Sequence, residues 1–289
     1  MEGFYKLMNG LKIPKIMIGT YSIFGNEAKD VFRSAYEIGY RGIDCARYYK
    51  NEKDWGKAIK EFGVRRENIF IQTKVDYEEE KKGLDIIKDF ETTLVNFSTD
   101  YIDCLLIHWP NMDTFEQTWK AMEKLYKEGK VRIIGVSNFR KEHFEILKQF
   151  MEVFPMVLQI ERHPCRHQQE TYDYCINNKI QIEAYQPIAV GRPELMKNPL
   201  LIKIAENHSC TVPQVALAWN IATGVIPLPR SRNYERLKEN FNSTKITLTA
   251  KEIDLINSDK AHYFRALREE AEYPGYWDQI HYVDIENYL

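Results

Sequence analysis

Residues 101–110 read YIDCLLIHWP, and this stretch shows best how the chain is built. Its centre is apolar without strict alternation, which is typical of a strand whose two faces are both covered. A polar side chain, His108, follows at the carboxyl end of the run. The stretch therefore predicts a buried parallel strand that ends at a functional side chain.

Similar short apolar runs alternate with helical patterns along the whole chain. We predict strands at residues 16–19, 42–45, 69–74, 101–108, 133–137, 156–161, 181–185 and 224–228. Strand and helix alternating eight times predict an α/β fold, a (β/α)8 TIM barrel, rather than a doubly wound sheet. The length of 289 residues fits one such barrel better than two domains, so we expect a single domain over residues 1–289.

Three segments are expected outside the eight units. Residues 5–13 place an Asn-Gly pair between alternating apolar positions, which predicts an N-terminal β-hairpin that plugs the lower end of the barrel. Thr249 and Glu252 form a capping-box pattern, which predicts an extra C-terminal helix. The tail, about residues 260–289, is rich in aromatic rings and is expected to form an ordered loop.

The composition limits the partners. A formal net charge of −2 and an isoelectric point near 6.4 give no general attraction to nucleic acid or to anionic membranes. No apolar run approaches the roughly 20 residues of a membrane span, and the N-terminus lacks the apolar core of a signal peptide. Five scattered cysteines fit reduced thiols. We expect a cytoplasmic enzyme that is a monomer or a weak oligomer.

Four polar residues lie at or just past the ends of three predicted strands: Asp44 and Tyr49 at the strand 42–45, Lys74 at 69–74 and His108 at 101–108. The carboxyl ends of parallel strands share one rim, so we expect these side chains to converge. A free phenol has a pKa of about 10, which the Lys74 ammonium would lower while Asp44 holds the ammonium in place. His108 would orient the reacting oxygen. The set suits protonation of an oxygen that becomes negative as a hydride reaches its carbon.

No metal site is predicted. His163 and His167 flank Cys165, but this group follows a strand rather than a helix face and lacks a fourth ligand nearby. Cys45, beside Asp44, is interpreted as a packing residue rather than a nucleophile.

Several stretches, taken in order, resemble the aldo-keto reductase family from the hairpin through about residue 258. The matching stretches are GIDCA at 42–46, YKNE at 49–52, QTK at 72–74, LIHWP at 106–110, GKVRIIGVSNF at 129–139, QIERHP at 159–164, AYQP at 184–187 and the run from Ser231 to Asn240. Each match is weak alone, and their common order carries the resemblance.

The resemblance implies an enzyme that reversibly reduces an aldehyde or ketone by hydride transfer from NADPH, in preference to NADH. In that role Tyr49 is the general acid, assisted by Lys74, Asp44 and His108. The small-molecule carbonyl substrate would lie against Tyr21, Tyr49, His108 and Trp109. Tyr21 stands where the family often has a tryptophan.

The resemblance also implies positions that bind the nucleotide. Ser137, Asn138 and Gln159 would hold the carboxamide, and Tyr185 would stack on the nicotinamide ring. The remaining cofactor positions are Thr20, Asp44, Gln186, Arg230, Ser231, Arg236, Glu239 and Asn240. Of these, Arg230, Ser231 and Arg236 would bind the 2′-phosphate, and Glu239 and Asn240 the adenine. Arg230 replaces the family's usual lysine, which keeps the charge but leaves the strength of the NADP preference open.

Two other functions remain open at this point. The chain could be a regulatory protein that binds the nucleotide on the same fold with little turnover. It could also be a barrel aldolase or lyase in which Lys74 forms a Schiff base.

Overall fold

The computed structural model describes residues 3–75, 85–260 and 262–266. The predicted aromatic loop therefore lies outside the described residues from position 267 onward. The chain divides into two compact units. The first unit comprises the described residues of 1–19, 34–41 and 159–267, and the second comprises those of 20–33 and 42–158. The single domain over residues 1–289 stays a prediction.

The described residues form ten strands and eleven α-helices. The strands are β1 (Phe4–Lys6), β2 (Lys12–Pro14), β3 (Ile18–Gly19), β4 (Gly42–Asp44), β5 (Phe70–Val75), β6 (Ile102–Ile107), β7 (Val131–Ser137), β8 (Val157–Glu161), β9 (Gln181–Tyr185) and β10 (Ile226–Pro227). The helices are α1 (Gly25–Ile38), α2 (Glu52–Phe62), α3 (Ile86–Phe97), α4 (Phe115–Lys127), α5 (Lys141–Leu147), α6 (Gln169–Asn177), α7 (Pro193–Met196), α8 (Pro199–Asn207), α9 (Val212–Ala222), α10 (Tyr234–Asn242) and α11 (Ala250–Ser258).

Strands β3 to β10 belong to one sheet and follow one another in chain order. All eight fall where the sequence predicted strands, within a few residues at each end. Helices separate β3 from β4, and each later strand from the next, as the predicted βα alternation requires, although the segment between β4 and β5 also holds short 3-10 turns.

In the second unit, β4, β5, β6 and β7 pair in parallel one after another. Every residue of β5 and β6 is buried, as predicted for strands that are covered on both faces. Asp103 of β6 accepts a hydrogen bond from the Ile71 amide at 2.9 Å and pairs with Arg66 and Arg132. This carboxylate therefore ties β5, β6 and β7 together from within the sheet.

Helices α2 and α3 of the second unit meet at their backbones. A Cβ atom added to Gly56 of α2 would lie 2.1 Å from the carbonyl oxygen of Asn96 and 2.7 Å from the Cα of Phe97. Only a glycine allows this approach, because any side chain there would enter the backbone of α3.

In the first unit, β1 and β2 form the predicted antiparallel hairpin, with Tyr5 opposite Ile13. Gly10 lies in the turn with φ of +83°, which glycine adopts at little cost. The Tyr5 hydroxyl donates to the carbonyl of Ile221 at 2.8 Å and so fastens the hairpin to α9. The hairpin is confirmed, and its position as a plug stays a prediction.

The first and last strands of the sheet meet within the first unit. The Met17 amide donates to the Pro227 carbonyl at 3.3 Å, and the Gly19 amide donates to the Pro229 carbonyl at 3.0 Å. On its other side β10 pairs in parallel with β9, where the Leu228 amide donates to Ala184 at 2.9 Å. The strand ends at Pro227, which has no amide hydrogen and cannot itself donate to a neighbouring strand.

Two helices begin with capping boxes, one of which was predicted. Thr211 caps α9 by accepting from the Gln214 amide, while the Gln214 side chain accepts from the Thr211 amide. Thr249 and Glu252 do the same for α11, which confirms the extra helix. Within the part of the chain that the structure describes, no helix is both long enough and apolar enough to cross a bilayer.

Candidate active site

Three of the predicted catalytic residues lie at one edge of the sheet because their strands are parallel and in register. Asp44 is the last residue of β4 and lies opposite Gln72 of β5. Lys74 follows two residues later in β5 and lies opposite Leu106 of β6. His108 comes directly after β6. The second unit therefore brings the carboxylate, the ammonium and the imidazole to neighbouring strand ends.

Lys74 and Asp44 form a buried ion pair. Lys74 Nζ lies 2.5 Å from Asp44 Oδ1, and both side chains are almost wholly buried. The ammonium also donates to the Cys45 carbonyl at 2.8 Å, and the Gln72 amide donates to the same Asp44 oxygen at 2.9 Å. These additional hydrogen bonds hold the ammonium in one place, which a buried ion pair needs if it is to offset its desolvation.

Tyr49 ends a short 3-10 turn, Arg47–Tyr49, that follows β4. Its ring centroid lies 5.3 Å from Lys74 Nζ and 5.1 Å from the ring centroid of Tyr21. The half-buried ring has lost much of its contact with water. Burial raises the pKa of Tyr49 to about 12, and Lys74 acts in the opposite direction. The predicted lowering by Lys74 is therefore present, but burial outweighs it, and the pKa of Tyr49 is raised instead of lowered.

His108 lies among aromatic rings at the same edge. Its ring centroid is 5.8 Å from that of Tyr49 and 6.3 Å from that of Tyr48, and the ring stacks on Trp109. Burial, with a smaller contribution from Lys74, holds the pKa of His108 well below its ordinary value. The imidazole is therefore neutral at pH 7 and can donate one hydrogen bond without carrying a charge.

Three predicted cofactor residues also lie in the second unit. The Thr20 hydroxyl is fully buried and donates to the Asp44 carbonyl at 2.9 Å. Ser137 ends β7, and Asn138 follows it with φ of +65°. The Asn138 amide donates to Ser137 Oγ and to the His108 carbonyl, both at 3.1 Å. Ser137 and Asn138 are thus fixed beside the loop that carries His108.

Gln159, Tyr185 and Gln186 lie in the first unit. The buried Gln159 amide donates to Glu183 Oε2 at 2.8 Å, and Glu183 is itself fully buried. Tyr185 is the last residue of β9 and is half-buried, and Gln186 follows it with φ of +48°. Glu183 was not among the predicted site residues, although a charged residue in the middle of a predicted buried strand was the signal for it.

In the first unit, Arg230 and Ser231 precede α10, and Arg236 lies in its first turn. Asn233 caps this helix, because its side-chain oxygen accepts from the Arg236 amide at 3.0 Å. Both arginines are exposed, and Ser231 Oγ accepts from the Asn233 amide at 3.1 Å. Two arginines in and just before the first turn of a helix, whose amino end is the positive end of its dipole, suit a phosphate.

The predicted adenine residues lie further along α10. The Glu239 carboxylate accepts from the Thr211 hydroxyl, and its backbone carbonyl accepts from the Gln214 side chain at 3.1 Å. Asn240 is buried. These contacts fasten α10 to the amino end of α9.

In the described part of the chain, no group of three histidine, cysteine or acidic side chains is arranged to hold a metal ion. The Cys45 thiol accepts from the Thr20 hydroxyl at 3.3 Å, and burial raises the pKa of this thiol above its ordinary value. A neutral, enclosed thiol of this kind packs and does not act as a nucleophile.

The chain is similar to a known family and to several known proteins. Residues 15–260 match the family model described as the Aldo/keto reductase family. The chain is 42% identical over 254 residues to the glyoxal reductase of Bacillus subtilis (strain 168), covering 88% of this chain and 91% of that protein. It is 34% identical over 239 residues to the methylglyoxal reductase DkgA of Escherichia coli (strain K12), covering 82% and 86%. The crystal structure of an aldo/keto reductase from Brucella melitensis has a TM-score of 0.82 to this chain at 38% identity, covering 90% and 98%.

The chain belongs to the aldo/keto reductase family. The predicted family and the predicted (β/α)8 fold class are thereby confirmed. Membership makes the chain an oxidoreductase that acts on carbonyl compounds, and it supports a nicotinamide cofactor. The roles of the individual site residues stay predictions.

Proposed function

We propose that this protein reduces the carbonyl group of a small aldehyde or ketone to an alcohol, with Tyr49 as the proton donor and NADPH as the cofactor. The observation that carries the proposal is the convergence of Tyr49, Lys74 and His108 at one edge of the sheet. The reaction runs in either direction, because each group that gives a proton in reduction can take it back in oxidation.

Tyr49 is suited to donate a proton at neutral pH. A pKa raised to about 12 keeps its hydroxyl protonated before the reaction. The Lys74 ammonium then stabilises the phenolate that forms, because it lies 5.3 Å from the ring and is enclosed with it. Asp44 keeps the ammonium charged and in position through the 2.5 Å contact.

His108 is suited to orient the carbonyl oxygen. Because its pKa is held well below the ordinary value, the ring is a neutral hydrogen-bond donor at pH 7 rather than a competing acid. The proton then comes from Tyr49, and His108 fixes the direction from which the oxygen receives it.

The residues at the amino end of α10 fit a phosphate-bearing nucleotide. Arg230, Ser231 and Arg236 offer two guanidinium groups and a hydroxyl in a chain whose net charge is only −2. The Gln159 amide donates to Glu183 at 2.8 Å, and this buried contact fixes the side chain for which a carboxamide is the proposed partner. When bound, NADPH would supply the hydride, and Ser137 and Asn138, fixed beside the loop that carries His108, would hold its nicotinamide end.

The substrate class proposed is a small α-dicarbonyl compound. Two of the relatives are named for the reduction of glyoxal and methylglyoxal. Tyr21, Tyr49 and His108, with Trp109 stacked behind the imidazole, provide flat apolar faces beside the proton donor. Such a surface suits a short planar molecule with a second carbonyl next to the reacting one.

A Schiff-base lyase is disfavoured by the state of Lys74. An amine must lose its proton before it can attack a carbonyl. Lys74 is instead held as an ammonium by the buried Asp44 carboxylate and by the Cys45 carbonyl.

The experiment is to compare Tyr49→Phe with Tyr48→Phe in the NADPH-dependent reduction of methylglyoxal, glyoxal and an aromatic aldehyde. Tyr49→Phe should lose at least about 100-fold in kcat, the contribution typical of a general acid, with NADPH affinity nearly unchanged. Tyr48→Phe removes a neighbouring phenol and should keep most of the activity. An undiminished rate in Tyr49→Phe would remove Tyr49 from this role, and no turnover of any carbonyl by the unaltered protein would support the regulatory alternative.

A further inference from the structure

A buried carboxylate, Glu52, lies between the turn that carries Tyr49 and the strand that carries Lys74. Glu52 Oε1 accepts from the hydroxyl of Thr73, the residue before Lys74, at 2.7 Å. Glu52 Oε2 accepts from Arg47, the first residue of the Tyr49 turn, at 3.3 Å. The Glu52 side chain is only 2% exposed, so water competes little for these hydrogen bonds.

Helix α3 holds the same carboxylate from a third direction. The Thr93 hydroxyl is 3.2 Å from both oxygens of Glu52, and the Asn96 amide donates to Oε2 at 3.1 Å. Four side chains from three segments therefore donate to one carboxylate. Four donors hold the carboxylate in one orientation. Because the donors belong to three segments, the same hydrogen bonds fix the positions of these segments relative to one another.

Arg47 is held on its other side by Asp89 of α3. Arg47 Nε donates to Asp89 Oδ2 at 3.0 Å, and Arg47 Nη2 contacts Asp89 Oδ1. This two-point contact fixes the plane of the guanidinium group. The turn that ends in Tyr49 is thus fastened to two carboxylates, Glu52 and Asp89.

The structure assigns to Glu52 the role of a positioning residue: through Thr73 and Arg47 it sets the separation between the Lys74 ammonium and the Tyr49 phenol. The inference rests on the proposed role of Tyr49 as proton donor. Lys74 and Tyr49 lie on different segments, and Glu52 is hydrogen-bonded to the neighbour of one and to the turn of the other. A misplacement of about 1 Å in a reacting group can cost roughly 100-fold in rate, so this separation matters.

The test compares Glu52→Gln with Glu123→Gln. Glu123 is a matched control in the second unit, because it is also buried and also accepts several hydrogen bonds, from Trp119 and from the amides of Glu152 and Val153. In each variant an NH2 group replaces a carboxylate oxygen that accepts hydrogen bonds, so a donor would face other donors. Both variants should therefore lower the melting temperature.

Only Glu52→Gln should change the rate of the catalysed reaction. We expect its kcat for methylglyoxal reduction to fall about tenfold or more while KM changes less than about twofold, because the loss is confined to the transition state. The solvent deuterium isotope effect on kcat should increase, since proton transfer from Tyr49 becomes slower. Glu123→Gln should keep both kcat and the isotope effect of the unaltered protein.

The decisive measurement is single-turnover hydride transfer in a Lys74→Met background. If Glu52 acts through the Lys74–Tyr49 pair, adding Glu52→Gln there should cause little further loss. An equal loss in both backgrounds would overturn the inference, as would a Glu52→Gln protein with unchanged kcat. Asp89→Asn loosens Arg47 without touching Glu52, and it should show the same effects at smaller size if Glu52→Gln fails to fold.

Failure of this inference is distinct from failure of the proposed function. If Tyr49→Phe were fully active, Tyr49 would not be the proton donor. Glu52 could then not act by positioning Tyr49 for proton transfer. If Tyr49→Phe is inactive and Glu52→Gln is fully active, the proposed function stands and only the role of Glu52 is overturned.

Discussion

Lys74 Nζ lies 2.5 Å from Asp44 Oδ1, and both side chains are almost wholly enclosed by protein. This pair has two consequences, one for chemistry and one for folding. It keeps a positive charge beside the Tyr49 ring. It also means that removing either partner would leave the other as a buried, unpaired charge.

Asp44→Ala should destabilise the protein strongly, because it leaves the Lys74 ammonium buried without its counter-ion. The expected loss is about 3–5 kcal/mol in the free energy of unfolding, measured by urea denaturation. The double variant Asp44→Leu with Lys74→Met removes both charges and should be more stable than Asp44→Ala. A double variant that is less stable than Asp44→Ala would show that the unpaired charge is not the cause.

The stability of the fold should fall as the pH drops from 7 toward 5.5. An unfolded histidine takes up a proton near pH 6.5, whereas burial holds the pKa values of His108, His163 and His167 below that value in the folded chain. The unfolded state therefore binds more protons in this range, and acid favours unfolding. Each unit of pKa lowering corresponds to about 1.4 kcal/mol.

His108→Asn tests this pH dependence directly. Urea titrations at several pH values should show a shallower fall in stability for the variant, because one of the three histidines no longer contributes. Parallel pH profiles for the variant and the unaltered protein would contradict the lowered pKa of His108.

Arg230→Ala combined with Arg236→Ala should weaken NADPH binding far more than NADH binding. A charge-assisted hydrogen bond contributes about 1.5–3 kcal/mol, so the loss for NADPH should reach at least about tenfold, as measured by fluorescence titration. Lys238→Ala is the matched control, because it removes an exposed positive charge from the same helix. Equal losses for both nucleotides would contradict the assignment of these arginines to a 2′-phosphate.

Gly56→Ala should destabilise the second unit, because the new Cβ would lie 2.1 Å from the Asn96 carbonyl oxygen. The contacting atom belongs to the backbone and cannot move away by a change of rotamer. Helices α2 and α3 must therefore move apart, at a cost of about 1–3 kcal/mol. Gly3→Ala is the control, since no atom lies within 4 Å of an added Cβ there. A melting temperature that is unchanged in Gly56→Ala would show that the helices can separate freely.

The strands were predictable because their sequences carry local signals. A strand such as residues 101–108 is apolar through most of its length, Asp103 excepted, and ends in a polar residue, and both features are read without knowing its neighbours. The turn at Asn9 and Gly10 and the cap at Thr249 are equally local, since each depends on residues only a few positions apart. The structure has all of these elements where they were predicted.

The direction in which the pKa of Tyr49 shifts and the role of Glu52 could not be predicted from local sequence signals. The sequence indicated a lysine near Tyr49, but the amount of water removed from the phenol depends on how the surrounding segments pack. Glu52 looks like an ordinary first-turn residue of a helix, and its four donors come from residues 47, 73, 93 and 96. The same holds for Glu183, which meets Gln159 only after β8 and β9 have folded.

The order of the residues determined which strands and helices form, where they begin and which polar groups stand at the strand ends, because these depend on neighbours along the chain. Tertiary structure alone decided which buried carboxylates meet which donors and whether burial or a nearby charge prevails at a given side chain. Desolvation and hydrogen-bond geometry arise from groups far apart in sequence, so they exist only once the chain has packed.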